Sequence, residues 1–361
     1  MQISINEGIE VVDKRLCLLC GSEGGFLYKD LRDRLFSAPG IWNLMYCAKC
    51  EFAWLNPFPL FHDIPKLYQV YYTHEDNLSA QETFKRPLSK VRMSELLVTL
   101  RKLVRDCALF DLKYKNNAPL FLRMAVKISS LFLPLYQEQI FSLMALTKLK
   151  NGKLLDIGCG NGGFLSQMAE LDWEVYGVEL DKEAISMAKK KEELRIFEGT
   201  LQDAQFKEET FDVITMNHVI EHLGDPLQTL EECFRILKKG GKLVVITPNL
   251  NSFGHLIFKR ACRILEPPRH LYLFSAKSLL KSVEKGGFIT SRLQTLARTG
   301  GSIYHLSWLI KHYGKVPQNL ISKNLEEKYR LLLSRAVFGV FEYFLSHFVS
   351  IGEEILMIGV K

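Results

Sequence analysis

The chain has 361 residues, is 47% hydrophobic and 24% charged, and carries a formal net charge of +7. That is ordinary globular composition, with length for two or three packed units. The charge is uneven. Residues 1–60 hold 6 basic and 7 acidic side chains, residues 61–250 hold 25 and 26, and residues 251–361 hold 16 and 7. The excess lies wholly in the last third, which excludes a uniformly basic nucleic-acid-coating protein and predicts one locally positive region.

The opening residues 1–15 carry acids and no long apolar run, so no signal peptide is expected. No segment offers about 18 uncharged apolar residues, so no transmembrane helix is expected either. The nearest approach, residues 336–351, is interrupted by Glu342 and His347. The predicted location is cytoplasmic, with peripheral contact at a membrane through the basic third as a further expectation.

Four of the eight cysteines form two C-x-x-C pairs, Cys17/Cys20 and Cys47/Cys50. Without a secretory signal such pairs read as a metal site, and four thiolates satisfy tetrahedral zinc. Residues 1–60 are therefore expected to be a small module built on structural zinc, with unligated or redox-active thiols as the alternative. The module is near neutral, so it is not an obvious nucleic-acid finger. Residues 61–150 lack glycine and contain helix-compatible stretches such as 93–110, which Pro119 and Pro134 interrupt. They read as a helical connector or lid.

From Gly152 the texture alternates. Strands are expected over residues 153–157, 174–178, 211–216 and 242–247, and helices over 164–171, 182–191 and 226–237. Gly240-Gly241 would stop the last helix. A helix over 276–285 and strands over 288–296 and 354–360 follow, with amphipathic helices over about 303–350. Strands alternating with helices argue for an α/β fold with a parallel, doubly wound sheet.

The central motif runs from Leu154 to Gly163, LLDIGCGNGG. Glycines at Gly158, Gly160 and Gly163 let the backbone turn tightly from strand to helix and approach a ligand. Asp156 ends the strand. Glu179 ends the next one, where a carboxylate can accept both hydroxyls of a ribose. These features alone also fit NAD. Downstream come Phe211-Asp212-Val213-Ile214, the run Asn217-His218-Val219-Ile220-Glu221-His222, Gly240-Gly241 and Thr247-Pro248-Asn249. This ordered series resembles the class I S-adenosylmethionine-dependent methyltransferases over roughly residues 150–290. Lys239 stands where those proteins commonly have proline before Gly-Gly. Pro267-Pro268-Arg269-His270-Leu271-Tyr272, together with the double C-x-x-C opening, Asn56-Pro57 and Tyr71-Tyr72, is similar to a bacterial subgroup with an N-terminal zinc-ribbon-like module. Residues 80–150 and 300–350 match it poorly.

The resemblance implies a doubly wound, mostly parallel seven-stranded sheet over residues 151–361, with helical additions. It implies that Asp156, Gly158 and Gly160 frame the methionine part of S-adenosylmethionine, that Glu179 holds the ribose, and that residues 200–203, Leu201 among them, flank adenine. Asn217 and His218 would lie near the sulfonium. The subgroup acts on sugars, surface-polysaccharide precursors or secondary metabolites, so the expected partner is a small-molecule acceptor, and no nucleic acid is expected.

His218-Val219-Ile220-Glu221-His222 also matches H-x-x-E-H, a zinc-peptidase signature, but it follows a strand end inside the methyltransferase series. Glu221 and His222 either brace that loop or bind a divalent metal. For an acceptor that must lose a proton, His218 and His270 are the candidate bases, with His270 otherwise a satisfied structural histidine in a proline-rich turn; Arg269 either contacts an anionic group or pairs with a local carboxylate. Lys259, Arg260, Arg263 and Arg269 cluster in the basic third, which suits an anionic or lipid-linked acceptor. The competing readings are an RNA methyltransferase docking through the zinc module, a nicotinamide dehydrogenase, and a non-catalytic scaffold.

Overall fold

The computed structural model describes residues 3–68, 95–129, 135–189, 194–316, 342–344 and 349–361. Tyr71-Tyr72, the start of the helix expected at 93, Pro134 and most of the expected 303–350 insertion lie outside the described residues. The strands are β1 (Ile3–Asn6), β2 (Ile9–Val12), β3 (Gly25–Leu31), β4 (Trp42–Cys47), β5 (Phe52–Asn56), β6 (Phe58–Pro59), β7 (Lys153–Ile157), β8 (Glu174–Glu179), β9 (Arg195–Glu198), β10 (Phe211–Asn217), β11 (Leu237–Pro248), β12 (Tyr272–Phe274), β13 (Ile289–Leu296) and β14 (Glu354–Val360). The α-helices are α1 (Glu95–Asp111), α2 (Leu120–Ser129), α3 (Leu135–Ser142), α4 (Gly163–Ala169), α5 (Lys182–Lys189), α6 (Pro226–Ile236), α7 (Phe253–Phe258), α8 (Ala276–Lys285) and α9 (Gly300–Tyr313). Among the described residues no helix is long and apolar enough to cross a membrane.

Seven strands form one sheet in the order β13-β14-β11-β10-β7-β8-β9. β7, β8 and β9 pair in parallel, while β14 runs antiparallel to both β11 and β13. This is the mostly parallel, doubly wound sheet expected from the alternating texture. Helix α6 starts as its sequence dictates. Asp225 at the N-cap accepts the Leu227 and Gln228 amides, and Pro226 occupies the first turn, where its missing N–H costs nothing. It ends on Ile236, earlier than the Gly240-Gly241 pair expected to stop it, because Leu237 is already extended at φ −73°, ψ 143° and opens β11.

By compactness the chain divides into two units. The first comprises Met1–Tyr71, Gln205–Thr210 and Met216–Lys361, and the second Tyr72–Ala204 and Phe211–Thr215. In the first unit β12 adds to the cysteine module's sheet, order β12-β5-β4-β3, with Tyr272, Leu273 and Phe274 opposite Trp54, Ala53 and Phe52. Phe52 stacks on Tyr272 with ring centroids 5.5 Å apart, and the Trp54 indole donates to the Lys14 carbonyl at 2.6 Å. Large aromatic surfaces buried this way supply much of the local apolar burial. In the second unit α1, α2 and α3 correspond to part of the expected helical connector. Asp111 accepts from Arg123 at 2.9 Å and from the Tyr136 hydroxyl, and the Trp173 indole donates to the Tyr114 hydroxyl at 2.9 Å.

Arg269, expected either to contact an acceptor or to pair with a local carboxylate, does the latter as a core residue of the first unit. Its guanidinium donates to Asp33 at 2.9 and 3.0 Å and to Glu266 at 3.0 Å, and neither the Arg269 nor the Asp33 side chain has any exposed surface. Burying a charge is tolerated only with such pairing, and removing one partner strands the others. Arg269→Met is therefore expected to lower unfolding free energy by about 3–5 kcal/mol in urea denaturation. Adding Asp33→Leu in the same chain is expected to recover part of that loss.

Candidate active site and metal centre

In the second unit, β7 leads into α4 through the glycine-rich turn. Gly158 and Gly160 adopt left-handed backbone, at φ +67° and +53°, and a Cβ built on Gly160 would project into open space. The turn is thus both tight and uncovered, which is what backbone approach to a ligand requires. Glu179, the last residue of β8, reaches back so that one carboxylate oxygen accepts the Gly160 amide at 2.7 Å. The other accepts the Leu180 and Asp181 amides at 2.8 and 3.0 Å. Asp156 is buried and accepts the Thr215 hydroxyl at 2.6 Å. Burial pushes its carboxyl up to about 7, aided by the charge of Glu179 and opposed by the Thr215 hydrogen bond. Leu201 is buried beyond β9, where the Thr200 amide and hydroxyl both donate to Asp203, at 2.9 and 2.5 Å. Glu179 thus braces the glycine turn at Gly160, and Asp156 lies on the strand that leads into that turn.

In the first unit, Asn217 ends β10 with an exposed side chain. His218 follows at φ +57°, backbone that non-glycine residues seldom adopt. Its Nε2 lies 2.7 Å from Glu354 and its Nδ1 3.3 Å from Glu221. Burial alone would lower its pKa, but hydrogen bonds to Glu221 and Glu354 and their charges outweigh that and push it up to about 9. His218 is therefore an imidazolium at neutral pH. Both nitrogens carry protons, and it has no lone pair with which to act as a base. Its two carboxylate partners are opposed by burial but held down to about 2 by this pairing, Glu354 also by Arg298 at 2.7 Å.

His222 and His270 are different. His270 is buried, with Nδ1 2.6 Å from the Ile264 carbonyl. Burial pulls its pKa down to about 4 despite Glu266, so it is neutral. His222 has Nδ1 3.0 Å from the Arg269 carbonyl and 2.9 Å from the Tyr68 hydroxyl. A carbonyl only accepts, so in the neutral rings the proton sits on Nδ1 and the lone pair on Nε2. The rings meet edge to face at 4.8 Å. Ligand-type atoms of Glu221, His222 and His270 lie within 4.8 Å of one another, so these three could hold a divalent ion, and His218 is not among them. Sequence reasoning read His222 as a brace or a divalent-metal ligand, not as a base, and did not single out Tyr68. The H-x-x-E-H spacing was the available signal for the first.

The four cysteines of the first unit converge, with sulfurs within 4.8 Å of one another and Cys20 and Cys47 3.6 Å apart. A tetrahedron with metal–sulfur bonds of about 2.3 Å has edges of about 3.8 Å, so the donor set fits zinc. The other two arginines singled out in the last third make internal contacts. Arg260 donates to the Asp30 carbonyl at 2.8 Å, and Arg263 pairs with Glu266.

Residues 132–290, which include the glycine turn and strands β7 to β12, match the family described as Methyltransferase domain. Over 165 residues the chain is 30% identical to a ubiquinone biosynthesis O-methyltransferase of Aliivibrio fischeri, covering 43% of this chain and 64% of that protein. It is 32% identical over 102 residues to a probable S-adenosylmethionine-dependent methyltransferase of Mycolicibacterium smegmatis, covering 28% of this chain and 40% of that protein. A solved S-adenosylmethionine-dependent methyltransferase of Archaeoglobus fulgidus aligns over 70% of this chain and 98% of its own, at 20% identity and a TM-score of 0.41. The chain thus spans less than two thirds of the curated relatives it matches.

The His218 assignment gives a pH dependence of fixed sign. Its raised pKa contributes stability that is fully present below about 6.5 and lost as pH rises through about 9. The depressed Glu221 and Glu354 contribute stability present above about 4.5 and lost as pH falls through about 2. The His218 side chain keeps 37% of its surface exposed, which moderates the size of the effect. Titration of the ring by NMR is expected to show a midpoint well above 7, and a midpoint near 6.5 would refute the assignment.

Proposed function

We propose that this chain transfers a methyl group from S-adenosylmethionine to a small-molecule acceptor. The observation that carries the reading is the bridge from Glu179 to the Gly160 amide across an open glycine turn, within a methyltransferase fold. Asp156, Gly158 and Gly160 frame the methionine portion, with the desolvated Asp156 carboxylate matched to the cofactor's amino group. Glu179 holds the ribose hydroxyls and Leu201 packs against adenine, and the motif series assigns Asn217 to the sulfonium. When bound, S-adenosylmethionine supplies an electrophilic methyl group, so the protein's main task is alignment.

For an acceptor that must lose a proton, His222 takes the role first sought at His218 and His270. It offers an Nε2 lone pair on a half-buried ring, whereas His218 is already protonated and His270 is sealed in the core. His270 then serves as a positioning residue against the His222 ring. Cys17, Cys20, Cys47 and Cys50 hold a structural zinc. The acceptor class suggested by the N-terminal module is a sugar, a surface-polysaccharide precursor or a secondary metabolite. An anionic or lipid-linked acceptor is supported by exposed lysines of the last third, Lys259, Lys311 and Lys315, rather than by its arginines.

Isothermal titration with S-adenosylhomocysteine tests the cradle. Asp156→Ala and Glu179→Ala are each expected to weaken binding by about tenfold or more, the scale of a lost charged hydrogen bond. The ionised Asp156 is the binding form, and protons compete for it. Affinity is therefore expected to fall by about tenfold per pH unit below about 7, and this slope should vanish in Asp156→Asn. Wild-type affinity in both alanine variants would sink the site.

A further inference from the structure

The second cysteine knuckle rests on one face of helix α8. Lys277, Ser278 and Lys281 occupy positions i, i+1 and i+4, which share a side of a helix. Lys277 pairs with Glu51 at 3.2 Å, and the Ser278 hydroxyl donates to the Glu51 carbonyl at 3.2 Å. Lys281 Nζ lies 3.3 Å from Cys50 Sγ. From outside the helix, Asn251 adds a further bond to the Glu51 carboxylate at 3.2 Å. The two knuckles are served differently. In the first knuckle the bonds are local: the Cys20 and Gly21 amides donate to the Cys17 carbonyl at 3.4 and 2.8 Å. Cys50 takes its bond from a cation 231 residues further along the chain.

Four thiolates around a divalent ion leave a net charge of −2. Hydrogen bonds and cations around such a centre lower its excess negative charge and orient its ligands, and they matter to affinity nearly as much as the ligands do. We propose that Lys281 is an outer-sphere partner of the four-cysteine centre, donating to the Cys50 thiolate from helix α8 and thereby tying metal retention to that helix. This rests on the zinc reading above. Lys281 touches no acceptor or cofactor residue named here. It is a positioning residue, and its effect belongs to the metal and not to methyl transfer. The same helix carries a capping box, in which the Ser275 hydroxyl and the Ser278 amide and side chain satisfy one another, so its first turn is fixed independently of the metal.

The test uses the full chain, purified without chelator. Zinc per chain is measured first, and then the rate of zinc transfer to excess EDTA. About one zinc per chain is expected. Lys281→Met is expected to release it about tenfold faster, while Lys281→Arg, which restores a cationic donor, stays near the parent rate. Lys277→Met removes a neighbouring docking contact without touching sulfur and is expected to leave the rate unchanged. In the cobalt-substituted protein, Lys281→Met should also shift the thiolate-to-cobalt absorption band, a readout that a merely loosened helix would not move. A chain that binds no zinc overturns both readings. A zinc-bound chain whose release is unaffected by Lys281→Met, or equally accelerated by Lys277→Met, overturns this one alone.

Discussion

A buried carboxylate, Glu221, sets the terms for the first unit. Its side chain has no exposed surface, so it must be neutralised by bonds within the protein. Thr247 on β11 donates to it at 2.9 Å, and the His218 imidazolium faces it at 3.3 Å. Its main-chain carbonyl accepts the Leu271 amide at 2.8 Å, and Leu271 in turn accepts from Leu55 at 2.9 Å. One residue therefore ties the end of β10, strand β11, the entry to β12 and strand β5 together. The neighbouring His222 inherits a fixed position from that anchor.

The same demand explains why two histidines four residues apart have opposite characters. His218 sits between two carboxylates that cannot reach water, and it is held cationic to neutralise them. His222 turns Nδ1 to a carbonyl, which leaves Nε2 as the nitrogen that carries the lone pair of the neutral ring. Their chemistry follows from partners supplied by β14 and by the turn before β12, not from the histidines themselves. A sequence offers both as candidate bases, and the surrounding charges select between them.

How much was legible depended on how local the signal was. The strands and helices of the catalytic half were readable within a residue or two at most ends, because apolar periodicity, Asp225-Pro226 and the glycine turn are all near-neighbour features. Asp156, Gly158, Gly160 and Glu179 stand out in the sequence for the same reason, as do the cysteine pairs. What sequence reasoning missed was distant. His218 was read as a base because Glu354 is 136 residues away, and beside the local partner Glu266 the second partner of Arg269, Asp33, is 236 residues away. The pairing of β12 with β5 likewise joins stretches with no local mark of each other. The positive last third loses much of its meaning once Arg263, Arg269 and Arg298 are seen to neutralise internal carboxylates.

The central claim is that the glycine turn with Glu179 receives S-adenosylmethionine and not a nicotinamide dinucleotide, whose ribose the same carboxylate would also suit. A thermal-shift comparison of the wild-type chain decides it. S-adenosylhomocysteine is expected to raise Tm in a concentration-dependent way while NAD leaves it unchanged. Stabilisation by NAD alone would contradict the account.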